Sequence, residues 1–240
     1  MKKGILVIVD GIDGSGKGII IKALADWALA KQMKVLDLKD YWKTKHTFPE
    51  PKEITDYDVI ISAEPTFSMV GQAIREEIVR DNNRSYSAWT TAEAFSLDRE
   101  ILYRRVIIPA LEQGKIILQE RGVTTSLIYQ PVQKEPLELE KILDLSGNKL
   151  ALEHRPDLLI VTLVDPKEAV RRLSERDKKD NVIFEKLPFL EKIAERFAAP
   201  WFRELMESRG SEFVYLKTDK TVYDTIEEAI NIWENFLKKH

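Results

Sequence analysis

The stretch ILVIVDGIDGSGKGIII (5–21) places a glycine-rich turn between two apolar runs. Its centre, from Gly11 to Lys17, matches the G-x-x-x-x-G-K pattern of a phosphate-binding loop, and the flanking runs predict the strand and helix that such a loop connects. Backbone N–H groups, the helix N-terminus and the lysine ammonium would then converge on a triphosphate. The residues expected to bind it are Gly11, Asp13, Gly14, Ser15, Gly16, Lys17 and Gly18.

One position departs from this pattern. The residue after the lysine usually supplies a hydroxyl to magnesium, whereas Gly18-Ile19 has none. We therefore expect Mg²⁺ to be held by phosphate oxygens, water and carboxylates elsewhere in the chain. The charge neutralisation that phosphoryl transfer requires is still available without that hydroxyl. A catalytically impaired nucleotide-binding chain is the alternative.

Composition excludes several classes of protein. The chain has 240 residues, 44% of them hydrophobic, and a net charge of −3, which predicts one soluble domain over 1–240 that does not bind nucleic acid through a basic surface. It has no cysteine, so disulfides and thiolate metal sites are excluded. Asp10 and Asp13 interrupt the first apolar run before it reaches the length of a signal peptide. We expect a cytoplasmic protein without membrane contact.

Short apolar runs alternate with helical patterns along the chain. Near-continuous apolar strands in strand–helix order predict an α/β fold, a three-layer parallel sheet with helices on both faces. The predicted strands are 4–11, 34–38, 58–64, 115–120, 157–165 and 212–218. The predicted helices are 16–32, 68–80, 89–112, 167–177, 186–206 and 221–238. The polar segment 41–57 is interpreted as an insertion, and a turn is predicted at 146–148.

Two further segments point towards a nucleotide. Glu64-Pro65 ends a predicted strand, at the edge where ligands of open parallel sheets bind. Phe95 and Arg99, in AFSLDR (94–99), lie four residues apart and so share one face of a predicted helix. A ring that stacks on a base and a guanidinium that donates to base carbonyls would suit this pair. The alternatives are a helix-capping acid at 64 and a core phenylalanine beside a surface arginine.

Two more segments carry charge to the same region. In LQERGVTTSLIYQP (118–131), Glu120 and Arg121 close a strand. Arg121 could bind a phosphate through two N–H groups, and Glu120 could hold magnesium directly or through water; a buried ion pair is the alternative. The basic stretch RRLSERDKKDNVIFE (171–185) could close over a triphosphate as a lid, or be a solvated surface.

Together these motifs resemble the thymidylate kinase family over nearly the whole chain. The matching pieces are GIDGSGK, EP with a later glycine at 71, AFSLDR, ERGVTTSLIYQ, VDPKEAVRRLSER and DNVIFE. The resemblance implies a phosphate-loop nucleoside monophosphate kinase fold. It also implies transfer of the γ-phosphate of ATP to dTMP, with Mg²⁺, by a homodimer.

The resemblance also implies roles for individual residues. Asp13 would meet the sugar 3′-hydroxyl, Phe95 would stack on thymine, Arg99 would contact the base, and Arg121 would bind the acceptor phosphate, with Glu64 in the same acceptor site. Because the loop has Gly14 in place of an arginine, the lid must supply the transition-state cation, and Arg176 is the leading candidate. The expected catalytic residues are Lys17, Arg121 and Arg176. The expected lid residues are Arg172, Arg176, Lys178 and Lys179.

The chain also departs from the family pattern around the acceptor. Ala63 replaces the arginine that often precedes Glu-Pro, Thr66-Phe67 replaces a small glycine pair, and Glu120-Arg121 replaces aspartate-arginine. The acceptor base therefore stays open at this point. A deoxynucleoside kinase is the nearest rival, in which Glu64 would remove a proton from a neutral 5′-hydroxyl.

Overall fold

The computed structural model describes residues 4–80, 82–133, 135–175 and 186–240. Its strands are β1 (Ile5–Gly11), β2 (Val35–Asp37), β3 (Val59–Ala63), β4 (Ile116–Glu120), β5 (Leu158–Leu163) and β6 (Glu212–Lys217). They form one sheet in the order β2-β3-β4-β1-β5-β6, and every neighbouring pair is parallel. Each strand falls within a predicted one, so the predicted parallel sheet is confirmed.

Helices connect consecutive strands. They are α1 (Lys17–Ala30), α2 (Leu38–Lys45), α3 (Met69–Ala73), α4 (Ala88–Leu102), α5 (Ile108–Glu112), α6 (Val123–Tyr129), α7 (Leu139–Asp144), α8 (Ser146–Glu153), α9 (Pro166–Ser174), α10 (Leu187–Ala198), α11 (Pro200–Glu207) and α12 (Val222–Lys239). Short π-helical turns lie at Ile74–Ile78 and Tyr103–Ile107. No helix within the described ranges has the length and apolar character needed to cross a membrane.

The sheet separates two hydrophobic cores. Along β1, Leu6 and Ile8 join the larger core, whereas Val7 and Val9 join the smaller one, because successive side chains of a strand point to opposite faces. Residues of α1 and α12 cover the smaller core, and residues of α4, α6 and α10 contribute to the larger one. Helices therefore cover both faces, which confirms the predicted three-layer arrangement.

The segment 41–57 contributes to the larger core. It contains most of α2 and buries Trp42, Phe48 and Ile54 completely or nearly so. The ring of Trp42 packs edge-on against Phe48 and stacks with Phe67, with centroids 5.7 and 6.2 Å apart. Although its origin as an insertion stays a prediction, the segment packs as core. It also contacts Phe67, one of the residues that depart from the family pattern.

Several predicted helix boundaries are wrong. The predicted helix 186–206 is interrupted at Ala199, whose extended backbone precedes Pro200 at the start of α11, as expected for a residue before proline. The predicted helix 89–112 contains the π-helical turn at Tyr103–Ile107. Pro109 has no N–H to donate to the carbonyl four residues earlier, and that carbonyl lies inside this turn. Helix α6 was not predicted at all.

The predicted turn at 146–148 is also wrong, because these residues begin α8. Gly147 lies against α4, and its N–H donates to Ser96 Oγ at 2.9 Å. A Cβ at position 147 would lie 1.9 Å from the Ser96 carbonyl oxygen. The glycine therefore permits a close helix contact and does not mark a turn.

Replacing Gly147 with alanine tests this contact. The added methyl group would push α8 away from the α4 backbone, and we expect the free energy of unfolding to fall by about 1–3 kcal/mol. For a chain of this size each kcal/mol lowers the melting temperature by roughly 2–4 °C. Calorimetry of Gly147→Ala beside Gly18→Ala measures the effect, since a Cβ at Gly18 meets its nearest neighbour at 3.9 Å. Equal melting temperatures in the two variants would contradict the prediction.

Candidate active site

The loop after β1 is held by its neighbours on one side and open on the other. A Cβ at Gly11 would overlap Thr162 of β5, and a Cβ at Gly14 would lie 2.5 Å from the Ala169 carbonyl of α9. Gly16, the N-cap of α1, has a φ of 87° in the left-handed region. A Cβ there would meet nothing within 4 Å, so the open side of the loop lies at the helix N-terminus, where anions bind.

Lys17 lies back over this loop. Its Nζ donates to the carbonyl oxygens of Gly11 and Ile12 at 3.1 and 2.7 Å, and the residue is only 5% exposed. Burial, with added repulsion from Arg121, lowers its pKa to about 8. A phosphate bound at the loop would stabilise the charged form of this ammonium more strongly than the two neutral carbonyls do.

Arg121 joins the loop to the end of β4. Its guanidinium donates to Asp13 Oδ1 and to the Tyr129 hydroxyl, and that hydroxyl donates to Asp13 Oδ2 at 3.2 Å. Burial opposes ionisation of Asp13, but Arg121 and Lys17 together hold its pKa below the ordinary value. The sequence predicted that Asp13 and Arg121 share one site, and the structure places them in direct contact.

Asp10, at the end of β1, supports this arrangement. Thr124 and Thr125, at the start of α6, donate to its carboxylate at 2.5 and 2.7 Å, and the Gly11 N–H donates at 2.8 Å. Asp10 is fully buried and lies 3.8 Å from the Arg121 guanidinium. Sequence reasoning treated Asp10 only as an interruption of the apolar run. A carboxylate that ends a buried strand beside the loop was the available signal.

Glu64 and Arg99 form a buried ion pair next to this cluster. Arg99 Nε donates to Glu64 Oε2 at 2.7 Å, and Gln119 Nε2 donates to Glu64 Oε1 at 3.0 Å. The remaining N–H groups of Arg99 donate to Asn148, to the Gly122 carbonyl at 3.2 Å and to Ser126 Oγ at 3.1 Å. Arg99 and Glu64 are 1% and 3% exposed. Protein groups therefore already bind the guanidinium that was predicted to meet the base.

Two amide oxygens beside this ion pair have no hydrogen-bond partner within the described residues. They are Gln119 Oε1 and Gln130 Oε1. Gln130 is buried and donates through Nε2 to Ser126 Oγ at 3.3 Å. Phe95 lies one helical turn before Arg99 on α4 and is half-buried. A buried acceptor without a donor is costly, so these amides are further candidates for contact with a ligand, which sequence reasoning missed.

Glu120 faces the other side of the sheet. Its Oε2 accepts from Lys39 Nζ at 2.7 Å, and a Cβ at Gly18 would lie 3.9 Å from the same oxygen. Burial raises the pKa of Glu120, but Lys39 and Lys17 outweigh that effect and lower it. Lys39 was not among the predicted site residues.

The donor set fits magnesium only through other ligands. No group of three or more metal-binding side chains occurs in the described part of the chain. Gly18 offers no hydroxyl, and one oxygen of Glu120 is engaged by Lys39. Such residues suit a metal bound mainly by phosphate oxygens and water, with Glu120 reached through water.

The predicted lid is described only in part. Arg172, in α9, donates to Glu168 Oε1 and to the Thr218 carbonyl, both at 2.7 Å. Arg176, Lys178 and Lys179 lie outside the described residues, and their lid roles stay predictions.

A glycine loop between the central strand and a helix, with Lys17 and Arg121 at its open side, defines a phosphate-loop α/β protein of the nucleoside monophosphate kinase class. A family model described as thymidylate kinase matches residues 52–230. A thymidylate kinase of Mycoplasmoides gallisepticum is 28% identical over 243 residues, which cover 100% of this chain and 99% of that protein. A probable thymidylate kinase of Pyrococcus abyssi is 32% identical over 72% of each chain. The chain belongs to the thymidylate kinase family, so the resemblance inferred from its motifs is confirmed.

The buried position of Glu64 predicts a pH dependence of stability. Burial outweighs Arg99 and raises the pKa of Glu64 from 4.5 to about 7. A raised folded-state pKa gives stability that is present below pH 4.5 and lost as the pH rises through about 7, because the folded chain retains a proton that the unfolded chain releases. Between these values the free energy of unfolding of the wild type should fall by up to about 3 kcal/mol from this group alone.

Denaturant unfolding of the wild type and Glu64→Gln across this pH range measures the effect. The glutamine variant should be less stable overall but should lack this part of the pH slope. Parallel stability curves for the two proteins would contradict the prediction.

Proposed function

We propose that this chain transfers the γ-phosphate of ATP to dTMP, with Mg²⁺, as a cytoplasmic homodimer. The observation that carries the proposal is the cluster of Lys17, Asp13 and Arg121, which joins the phosphate loop to the end of β4. One cation of this cluster belongs to the donor loop and the other lies at the predicted acceptor site. The choice of dTMP as the particular acceptor rests on the names of the family model and of the similar proteins.

The donor half of the reaction is assigned to the loop. The open side of Gly16 and the backbone N–H groups at the start of α1 would receive the β- and γ-phosphates, with Lys17 beside them. Bound magnesium would neutralise charge on the transferred phosphate, with Glu120 as its protein partner through water. Arg176, with Arg172, Lys178 and Lys179, would close over the donor.

The acceptor half is assigned to Arg121 and Asp13. Arg121 is paired with Asp13. An acceptor phosphate would compete for the guanidinium, since Arg binds phosphate through two parallel hydrogen bonds. Release of Arg121 would leave Asp13 able to accept a hydrogen bond from the sugar 3′-hydroxyl. The two events would couple recognition of the phosphate to recognition of the sugar.

The base would lie near Phe95 and the buried network around Arg99. Protein groups occupy the guanidinium of Arg99. The oxygens of Gln119 and Gln130, which have no partner among the described residues, would accept a hydrogen bond from a base N–H. Arg99 would hold Ser126 and Glu64 in place and contact the base at its edge. Phe95, half-buried one turn earlier, would supply the stacking surface.

The chemistry needs no strong base, because the phosphate of a monophosphate acceptor is already anionic. Alignment and charge stabilisation by Lys17, Arg121 and a lid cation account for catalysis. A deoxynucleoside acceptor would instead require Glu64 to remove a proton. Both oxygens of that carboxylate accept hydrogen bonds inside a buried network, which favours the monophosphate.

The homodimer rests on the resemblance and on one exposed surface. Trp89 and Leu97, both on α4, are exposed, and they lie eight residues apart, which places them on the same side of that helix. Their apolar side chains suit a helix-to-helix contact between two copies.

Removing either cation should cripple turnover. Lys17→Ala and Arg121→Ala each delete a preorganised donor to developing charge, which costs about a hundred- to a thousandfold in kcat. ADP release with dTMP as acceptor measures the rate. Lys22→Ala and Arg104→Ala are matched controls, because both side chains are exposed and each pairs with a carboxylate four residues away in the chain. Near-normal turnover in either loop or strand-end variant would refute the assigned roles.

An acceptor panel tests the proposed reaction itself. With ATP and Mg²⁺, we expect dTMP to be converted to dTDP and thymidine to be left unphosphorylated, because the site pairs its cations with an acceptor phosphate. Chromatography of the nucleotide products measures both. Phosphorylation of thymidine would favour the deoxynucleoside kinase, and ATP binding without any phosphorylated product would favour the impaired homologue.

A further inference from the structure

Lys39 reaches the active site from the edge of the sheet. It is the second residue of α2, and its N–H donates to the N-cap residue Asp37 at 2.8 Å. Strand pairing aligns Asp37 with Ile61 and Ala63 with Glu120. Lys39 therefore lies two residues beyond the last paired position of β2, in the first turn of α2. The lysine side chain reaches Glu120 at the end of β4, although β3 lies between β2 and β4 in the sheet.

The ammonium of Lys39 binds one particular oxygen. Its Nζ lies 2.7 Å from Glu120 Oε2, and the two side chains are 29% and 23% exposed. A side chain at position 18 would meet that same oxygen, since a Cβ there would lie 3.9 Å away. The position that lacks a metal-binding hydroxyl and the lysine thus converge on one carboxylate.

We propose that Lys39 is a positioning residue for the metal ion bound to the triphosphate. By holding Glu120 Oε2, Lys39 keeps that oxygen from coordinating the metal directly. This inference rests on the proposed function, in which a metal-bound triphosphate occupies the loop. An ammonium and a divalent cation compete for the same carboxylate oxygen, and the ammonium also repels the ion. Gly18 has the same effect, because it lacks the side-chain hydroxyl that this position of the loop usually offers to the metal. The metal is then left to phosphate oxygens and water.

A simple surface ion pair is the competing explanation. Partly exposed lysine–carboxylate pairs contribute little to stability, and loss of such a pair would leave metal binding unchanged. The two explanations differ in whether Lys39 acts through Glu120 on the metal, and a double-mutant cycle separates them.

The experiment uses Mn²⁺ as a probe for Mg²⁺. Binding of Mn²⁺ to the protein–ADP complex is measured from the electron paramagnetic resonance signal of the free ion. We expect Lys39→Met to tighten Mn²⁺ binding by roughly three- to tenfold, because a repelling charge is lost and Glu120 is released. Lys39→Arg keeps the charge and should resemble the wild type. Lys43→Met, one turn further along α2, is the matched control, since Lys43 is exposed and pairs with Asp40.

The cycle is completed in a Glu120→Gln background, where Lys39→Met relieves only the repulsion and should therefore tighten Mn²⁺ binding clearly less than it does beside the native carboxylate. Unchanged or weaker Mn²⁺ binding in Lys39→Met would overturn the inference, and so would tightening that is equally large without the carboxylate or equally large in Lys43→Met. The acceptor plays no part in this measurement. A chain that shows the expected metal pattern but makes no dTDP would therefore overturn the proposed function and leave the inference standing.

Discussion

Side-chain alternation at the end of β4 organises the whole site. Gln119 points to the face of the larger core, where it binds Glu64, and Glu120 points to the face of α1, where it binds Lys39. Arg121 follows in a left-handed conformation, with a φ of 64°, and turns back to Asp13. Three consecutive residues thereby serve three different regions. The sheet itself separates the proposed acceptor network from the donor and metal side.

The acceptor side is held by charges that the fold has buried. Glu64, Arg99, Gln119, Asn148 and Ser126 come from five separate parts of the fold, and each donates to or accepts from another member of the group. A buried ion pair is costly to form but much more costly to break from one side. This network therefore gives a rigid floor, and the amide oxygens of Gln119 and Gln130 beside it have no hydrogen-bond donor within the described part of the chain. Rigid, unpaired acceptors of this kind select a ligand by its donors.

The proposed donor side differs in character, because its Lys39–Glu120 ion pair is partly exposed and position 18 offers no hydroxyl. Lys39 lies on α2, next to the segment 41–57, whose Trp42 stacks with Phe67. Two positions that depart from the expected sequence patterns, Phe67 and Gly18, therefore both lie near residues of α2 or their partners. Phe67 packs against Trp42 of α2, and the same helix supplies Lys39 to Glu120, the carboxylate beside Gly18.

The sequence by itself determined the parallel α/β fold, the phosphate loop and the family, because strand periodicity and the glycine–lysine spacing are local properties of the chain. It also brought Asp13 and Arg121 into one site. It did not reveal Asp10, Gln130 or Lys39 as site residues, nor the helix that begins at Ser146. Those depend on which strands are neighbours and on which face each side chain points to. Such contacts join residues that are far apart in the chain, such as Thr125 and Asp10 at a separation of 115 positions, and only the tertiary structure decides them.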